Sequence, residues 1–97
     1  MKPALSNKSP DPLIIKEIGY AYFKEKDYKN AISTYKNGLS YMPDNVKSDT
    51  KGEMAFNMAN IYKAEGNHEE YQNWMAKAKL YAPDNSNIYR QITAAGF

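Results

Sequence analysis

The stretch "PLIIKEIGYAYFKEKDYKNAISTYKNGLSYMP", residues 12–43, contains two apolar patterns separated by the short polar segment KEKD. In each pattern the apolar side chains recur every three or four residues, which predicts an amphipathic α-helix. The first pattern consists of Ile14, Ile15, Ile18 and Tyr22, with Ala21 and Phe23 beside it. The second pattern consists of Tyr28, Ala31, Ile32, Tyr35 and Leu39. Because the connection is so short, the stretch predicts a hairpin of two antiparallel helices.

Polar and proline residues mark the ends of both predicted helices. Asp11 precedes Pro12, and this pair suits a helix start because the carboxylate caps free N–H groups and proline loses no hydrogen bond there. Asp27 offers the same cap to the second helix. Pro43 ends the hairpin, because the residue before a proline avoids the α conformation.

The rest of the chain continues the helical pattern. The third predicted helix carries Met54, Ala55, Met58, Ala59, Ile61 and Tyr62 and ends at Gly66-Asn67. The fourth carries Tyr71, Trp74, Met75, Ala78 and Tyr81 and ends at Pro83. A short last helix carries Ile88, Tyr89 and Ile92, with Ser86 or Asn87 as its cap and Gly96 as its end. Since no stretch alternates with period two, the predicted class is all-α.

The pentapeptides YMPDN, residues 41–45, and YAPDN, residues 81–85, indicate an internal repeat. Residues 12–45 contain Ile15-x2-Ile18-Gly19-x2-Tyr22, then Ala31-x3-Tyr35, then Pro43. This resembles the tetratricopeptide repeat, a 34-residue unit that reads aromatic-x2-Leu-Gly-x2-Tyr, Ala-x3-Phe and Pro. Residues 52–85 carry a second set of matching positions: Ala55, Met58, Ala59, Tyr62, Gly66, Met75, Ala78 and Pro83.

The second unit departs from the pattern at two positions. Tyr71 stands where the first unit has the small Ala31, and Met75 stands where the first unit has Tyr35. The two changes would compensate if bulk had moved by one helical turn. In both units the small residue, Gly19 or Ala59, is expected where the two helices of a hairpin cross closely.

The resemblance implies stacked helix hairpins in a short right-handed α-solenoid, an all-α fold. We divide the chain into a flexible N-terminal tail, residues 1–10, and a repeat domain, residues 11–97. The domain contains a repeat at 12–45, an insertion at 46–51, a repeat at 52–85 and a capping helix at 86–95. The insertion predicts a longer third helix rather than an extended loop, because four residues offer caps. They are Asp44, Asn45, Ser48 and Asp49.

The resemblance also implies a concave groove that binds a peptide or a segment of another protein. The predicted groove residues are Lys16, Tyr20, Lys24, Phe56, Asn57, Asn60, Lys63 and Arg90, with Leu13, Glu17, Asn87 and Gln91 beside them. The lysine, arginine and amide donors would suit an acidic partner or a C-terminal carboxylate. Only Lys16 and Asn57 match the five-residue carboxylate clamp of some family members, so a different peptide specificity is expected.

An assembly role is the alternative function. Two repeats are few, because each unit buries its apolar face on a neighbour. The last helix has little polar surface, which allows three interpretations: a closely packed terminal helix, self-association through an open end, or a fragment of a longer array. A homo-oligomer or a partner docked at the ends is therefore kept beside groove binding.

Composition argues against other classes of function. The chain has 97 residues, no cysteine and a net charge of +2, so nucleic acid and membrane surfaces are not the expected partners. No phosphate-binding glycine loop and no catalytic set of residues can be identified, so we expect no enzyme and no cofactor. His68 next to Glu69 and Glu70 is interpreted as a helix first turn, not a metal site. The N-terminus lacks a secretory signal, and cytoplasm is the expected location.

Overall fold

The computed structural model describes residues 11–43 and 46–97, and these residues form five α-helices and no strand. The helices are α1 (Pro12–Lys24), α2 (Tyr28–Ser40), α3 (Asp49–Ala64), α4 (His68–Tyr81) and α5 (Asn87–Ala94). The predicted tail at 1–10 and the cap candidates Asp44 and Asn45 lie outside the described residues. The all-α prediction is confirmed.

The predicted caps fix the helix starts. The Asp11 carboxylate accepts a hydrogen bond from the Leu13 N–H at 3.0 Å, and Asp27 caps α2 in the same manner. Ser86 rather than Asn87 caps α5, since its hydroxyl accepts from the Tyr89 N–H at 3.1 Å. Each cap satisfies a backbone donor that has no partner inside the helix.

The insertion lengthens α3 as predicted. This helix has 16 residues where α1 has 13, and Ser48 caps it by accepting from the Lys51 N–H at 3.1 Å. Val46 and Lys47 are not helical. The inserted residues therefore add about one turn to α3 and a short loop before it.

A buried lysine, Lys51, holds this loop in place, and no sequence pattern pointed to its role. Lys51 is 2% exposed, and its ammonium donates to the carbonyls of Pro43 and Val46, the latter at 3.2 Å. The ammonium also lies 4.4 Å from the centre of the Tyr81 ring. In addition, the Ser48 N–H donates to the Tyr81 carbonyl at 3.0 Å. These contacts connect the end of the first repeat to the last residue of α4.

Helix α3 lies at the centre of the fold and contacts each of the other four helices. The largest fully buried side chains come from α2, α3, α4 and α5: Tyr35, Lys51, Met54, Met58, Ile61, Met75 and Ile92. The two hairpins α1–α2 and α3–α4 share this core, and α5 covers the far side of the second hairpin.

Small residues permit the close helix crossings. A Cβ atom on Gly19 would lie 2.6 Å from Cε1 of Tyr35, which confirms the predicted close approach. Gly38, which the sequence analysis did not single out, has the same role, because its Cβ would lie 2.6 Å from Cγ2 of Ile15. Ala59 is fully buried at the position equivalent to Gly19.

The predicted apolar stripe on α1 is only partly buried, which corrects the sequence analysis. Ile15 is buried, but Ile14 and Ile18 are each 47% exposed and Ala21 is exposed. Their equivalents forty residues later, on α3, are Met54, Met58 and Ile61, which are fully buried. The difference arises because α3 contacts all four other helices, whereas α1 contacts only α2 and α3 among the described helices.

The two departures in the second repeat have separate consequences. Met75 is 1% exposed and lies in the core. Tyr71 is half-buried, and its ring meets the Phe97 ring edge-on with centroids 5.7 Å apart. The bulk of Tyr71 therefore packs against Phe97, which follows α5, as well as against the core.

Candidate functional site

Three helices, α1, α3 and α5, enclose a cleft of about 370 Å³. Its lining residues are Lys16, Glu17, Tyr20, Glu53, Phe56, Asn57, Ile88 and Gln91. Four of the eight predicted groove residues, Lys16, Tyr20, Phe56 and Asn57, are thus brought together. Glu17 and Gln91, which were expected beside the groove, also line the cleft.

Helical spacing explains why these side chains share one surface. Residues three or four apart lie on the same face of a helix. Lys16 and Tyr20 have this spacing on α1, as do Glu53, Phe56 and Asn57 on α3. Since α1 and α3 both contribute the first helix of a hairpin, their equivalent faces point to the same side of the molecule.

Glu53 is a cleft residue that the sequence analysis missed. Its carboxylate forms an ion pair with the Lys16 ammonium, and the two side chains are 39% and 25% exposed. The available signal was its position, three residues before Phe56 on the same helix face. The consequence is that the charge of Lys16 is already paired within the chain.

Asn57 connects the cleft to the core. Its side-chain amide donates to the Tyr35 hydroxyl at 3.1 Å, and Tyr35 is fully buried. Burial raises the pKa of Tyr35 to about 12, against the opposing effect of the Asn57 hydrogen bond, and the nearby Tyr20 and Glu53 raise it further. Tyr35 therefore stays neutral at ordinary pH, and one amide donor of Asn57 is used by the fold.

Aromatic side chains supply the apolar part of the cleft. Tyr20 is 47% exposed and packs edge-on against Phe23, with ring centroids 6.1 Å apart. Phe56 is half-buried and packs against the core. An incoming chain would therefore meet one ring that stands out from α1 and one ring that is held from behind.

The other predicted groove residues do not line this cleft: Lys24, Asn60, Lys63 and Arg90. The Lys24 ammonium lies 5.7 Å from the centre of the Tyr20 ring, one turn beyond the cleft. The Lys63 ammonium lies 5.4 Å from the centre of the Tyr71 ring on α4. Lys24 thus borders the cleft through its contact with Tyr20, whereas the Lys63 ammonium lies against a residue of α4.

His68 and its neighbours Glu69 and Glu70 form the first turn of α4. His68 is exposed as the first residue of α4. Residues 11–43 and 46–97 contain no group of three or more histidine and acidic side chains arranged to hold a metal ion. Over the same residues no helix has the length and apolar character needed to cross a membrane.

Comparison with known proteins agrees with the geometry. The sequence model of the tetratricopeptide repeat matches residues 17–45 and 52–85, which is more than half of the chain. Comparison with curated proteins and with solved structures gives no match. The two matched segments correspond to the hairpins α1–α2 and α3–α4. The chain therefore belongs to the tetratricopeptide repeat family.

Proposed function

We propose that this protein is an interaction module that binds a segment of a partner protein in the cleft between α1, α3 and α5. Tetratricopeptide repeats generally mediate protein–protein interaction and are typically not enzymes. The observation that supports this site is the convergence of exposed aromatic and polar side chains from three helices on one concave surface.

The size and chemistry of the cleft suit a peptide. Binding sites are commonly concave, largely apolar and equipped with a few convergent polar groups, with volumes of roughly 300–1,000 Å³. Here Tyr20 and Phe56 supply apolar contact, and Gln91 supplies an amide able to bond to a peptide backbone. The volume of about 370 Å³ accommodates a few side chains rather than a folded surface.

The expected preference for an acidic or C-terminal carboxylate group stays a prediction, and the cleft offers little support for it. The one lysine in the lining is Lys16, and its ammonium is paired with Glu53. A ligand carboxylate would share this ammonium with Glu53, whose negative charge opposes its approach. The cytoplasmic location likewise stays a prediction.

Selection from a random peptide library on the full chain, followed by affinity measurement on variants, tests the proposal. We expect Tyr20→Ala to weaken binding of the selected peptides by roughly tenfold, as for loss of an aromatic anchor. Tyr41→Ala is the matched control, because Tyr41 is also 47% exposed but does not line the cleft. Equal affinity of both variants would move the binding site away from the cleft.

A second candidate function, self-association, is favoured by an exposed apolar face of α1. We define the end face as Ile14 and Ile18 together with the adjacent trough between α1 and α2. The trough measures about 650 Å³ and is lined by Ile15, Ile18, Tyr22, Ser33, Thr34, Lys36, Asn37 and Ser40. Because one surface carries both an apolar ridge and a trough, two copies could pair through it in a two-fold arrangement.

Light scattering over a range of concentrations tests self-association. We expect a dimer whose population falls when Ile14→Lys and Ile18→Lys are introduced together. The control is Leu80→Lys, because Leu80 is 68% exposed on α4 and outside the end face. A monomer at the highest concentration would contradict this candidate.

A further inference from the structure

The cleft is locally acidic although the chain carries a net charge of +2. Its lining contains two carboxylates, Glu17 and Glu53, and one cation, Lys16. Lys16 and Glu53 neutralise each other. Glu17 is exposed and takes part in no hydrogen bond or ion pair with the described residues, so its charge remains for a ligand.

The other lysines predicted for the groove do not line the cleft. Lys24 and Lys63 contact the rings of Tyr20 and Tyr71, and neither lines the cleft. A ligand carboxylate entering the cleft would therefore approach two like charges and one lysine that is already paired. Like charges brought together in a partly desolvated site disfavour binding.

A basic side chain would find complementary groups at each part of its length. The methylene stem of lysine or arginine packs on apolar surface while the charged head stays in a polar environment. Tyr20 and Phe56 provide such a surface, and the ring face of Phe56 also attracts cations, whereas the Tyr20 ring already has the Lys24 ammonium 5.7 Å from its centre. Glu17 provides a carboxylate for the head, and Glu53 keeps a second oxygen beside the one that contacts Lys16.

We propose that the cleft selects a partner segment that carries a lysine or arginine side chain, with its stem on Tyr20 and Phe56 and its head at Glu17 and Glu53. This proposal rests on the proposed function, because it names the ligand chemistry of that same cleft. It predicts that affinity falls as salt concentration rises.

The experiment uses the peptides selected on the full chain from a random library. We expect these peptides to be enriched in basic residues, and replacement of the basic residue by glutamine to weaken binding. We also expect Glu17→Gln together with Glu53→Gln to weaken binding by roughly tenfold, as for loss of charge-assisted hydrogen bonds. Glu17→Gln alone should give part of this loss, and it leaves the Lys16–Glu53 pair intact.

The matched control is Glu25→Gln together with Glu65→Gln. It changes the net charge by the same amount at two exposed positions just after α1 and α3, outside the cleft. An equal loss of peptide affinity in both double variants would show a general charge effect and overturn the proposal.

The outcomes separate this proposal from the proposed function. Selected peptides that bind the cleft but are enriched in acidic or neutral residues would overturn the basic preference and leave cleft binding intact. Peptides whose affinity is unchanged by Tyr20→Ala, or a selection that yields no binder, would overturn cleft binding and the basic preference together.

Discussion

The two helix hairpins follow the same register, forty residues apart, but fill their crossings differently. In the first, the ring of Tyr35 packs directly on Gly19. In the second, Ala59 takes the glycine position and Met75 takes the tyrosine position, and both are buried. The same backbone arrangement therefore accommodates two different pairs of side chains. In the first hairpin a rigid tyrosine ring packs on a glycine, and in the second a flexible methionine accompanies an alanine.

The difference has a functional consequence, because only the first crossing reaches the cleft. The Tyr35 hydroxyl accepts a hydrogen bond from Asn57, a cleft residue on α3. Met75 has no comparable polar group. The core of the first hairpin thus helps to position the cleft, whereas the second crossing serves packing alone.

Removing the large side chain from each crossing should give the largest effects. We expect Tyr35→Ala to lower the free energy of unfolding by about 3–5 kcal/mol and Met75→Ala by about 2–5 kcal/mol, because each leaves a cavity. Tyr35→Ala also deprives Asn57 of its acceptor. Urea denaturation followed by circular dichroism measures both. The exposed Tyr41→Ala serves as control, and a loss there as large as at Tyr35 would contradict the assignment of the core.

High pH should weaken the first crossing through its tyrosine. The pKa of Tyr35 is about 12 in the folded protein, against 10.0 for an ordinary tyrosine. The folded state therefore holds the proton more tightly, so this contribution is complete below pH 10 and is lost between pH 10 and about 12. The expected loss is about 2–3 kcal/mol.

Urea denaturation between pH 9 and 12, with Tyr35→Phe for comparison, measures this loss. The difference in stability between the parent chain and the variant isolates Tyr35 from the other tyrosines. A constant difference across the range would show that Tyr35 titrates normally.

Converting the first crossing into the second is a more subtle test. We expect Gly19→Ala to lower the free energy of unfolding by about 1–2 kcal/mol, because the new Cβ would lie 2.6 Å from the Tyr35 ring. This value is net of the gain of about 1 kcal/mol that alanine brings in helix propensity. Adding Tyr35→Met should recover most of this loss, since the pair then resembles Ala59 with Met75. A double-mutant cycle measures the coupling between the two positions. Strictly additive effects would show that the ring and the glycine do not depend on each other.

The smallest effect is expected at the hairpin turns. Lys26 and Gly66 occupy equivalent positions, with φ angles of 64° and 80°. Glycine adopts this left-handed conformation without strain, unlike lysine or alanine. Lys26→Gly should therefore raise the free energy of unfolding by about 1 kcal/mol, and Gly66→Ala should lower it by a similar amount. Thermal unfolding detects both. Destabilisation by Lys26→Gly would mean that the side chain of Lys26 contributes more than its strained backbone costs.

Local signals made much of this fold predictable from the sequence. Asp11, Asp27 and Ser86 cap helices where capping chemistry placed them, and Gly19 lies at a crossing as its position in the repeat implied. These features depend on residues close in sequence or on the repeat register. Half of the predicted groove residues line the cleft, namely Lys16, Tyr20, Phe56 and Asn57, and their prediction rested on the resemblance to the repeat family, which implies a groove along the first helix of each hairpin.

The features that were missed depend on contacts between distant residues. Lys16 and Glu53 are 37 residues apart, and their pairing depends on how α1 and α3 cross. In the sequence, Lys51 resembles an ordinary surface lysine. It is buried because the loop before α3 folds over it and accepts hydrogen bonds from its ammonium. Ile14 and Ile18 show the reverse case, because periodicity identifies an apolar face but not whether another element covers it.

The central claim is that a partner segment binds between α1, α3 and α5, beside the first crossing. The most direct test is amide chemical-shift mapping by NMR during titration with a library-selected basic peptide. We predict that the largest shifts occur at Glu17, Tyr20, Phe56, Asn57 and Gln91, with little change at Ile14, Ile18 and the α4 surface. Shifts concentrated on the end face, or scattered without relation to the cleft, would contradict the account.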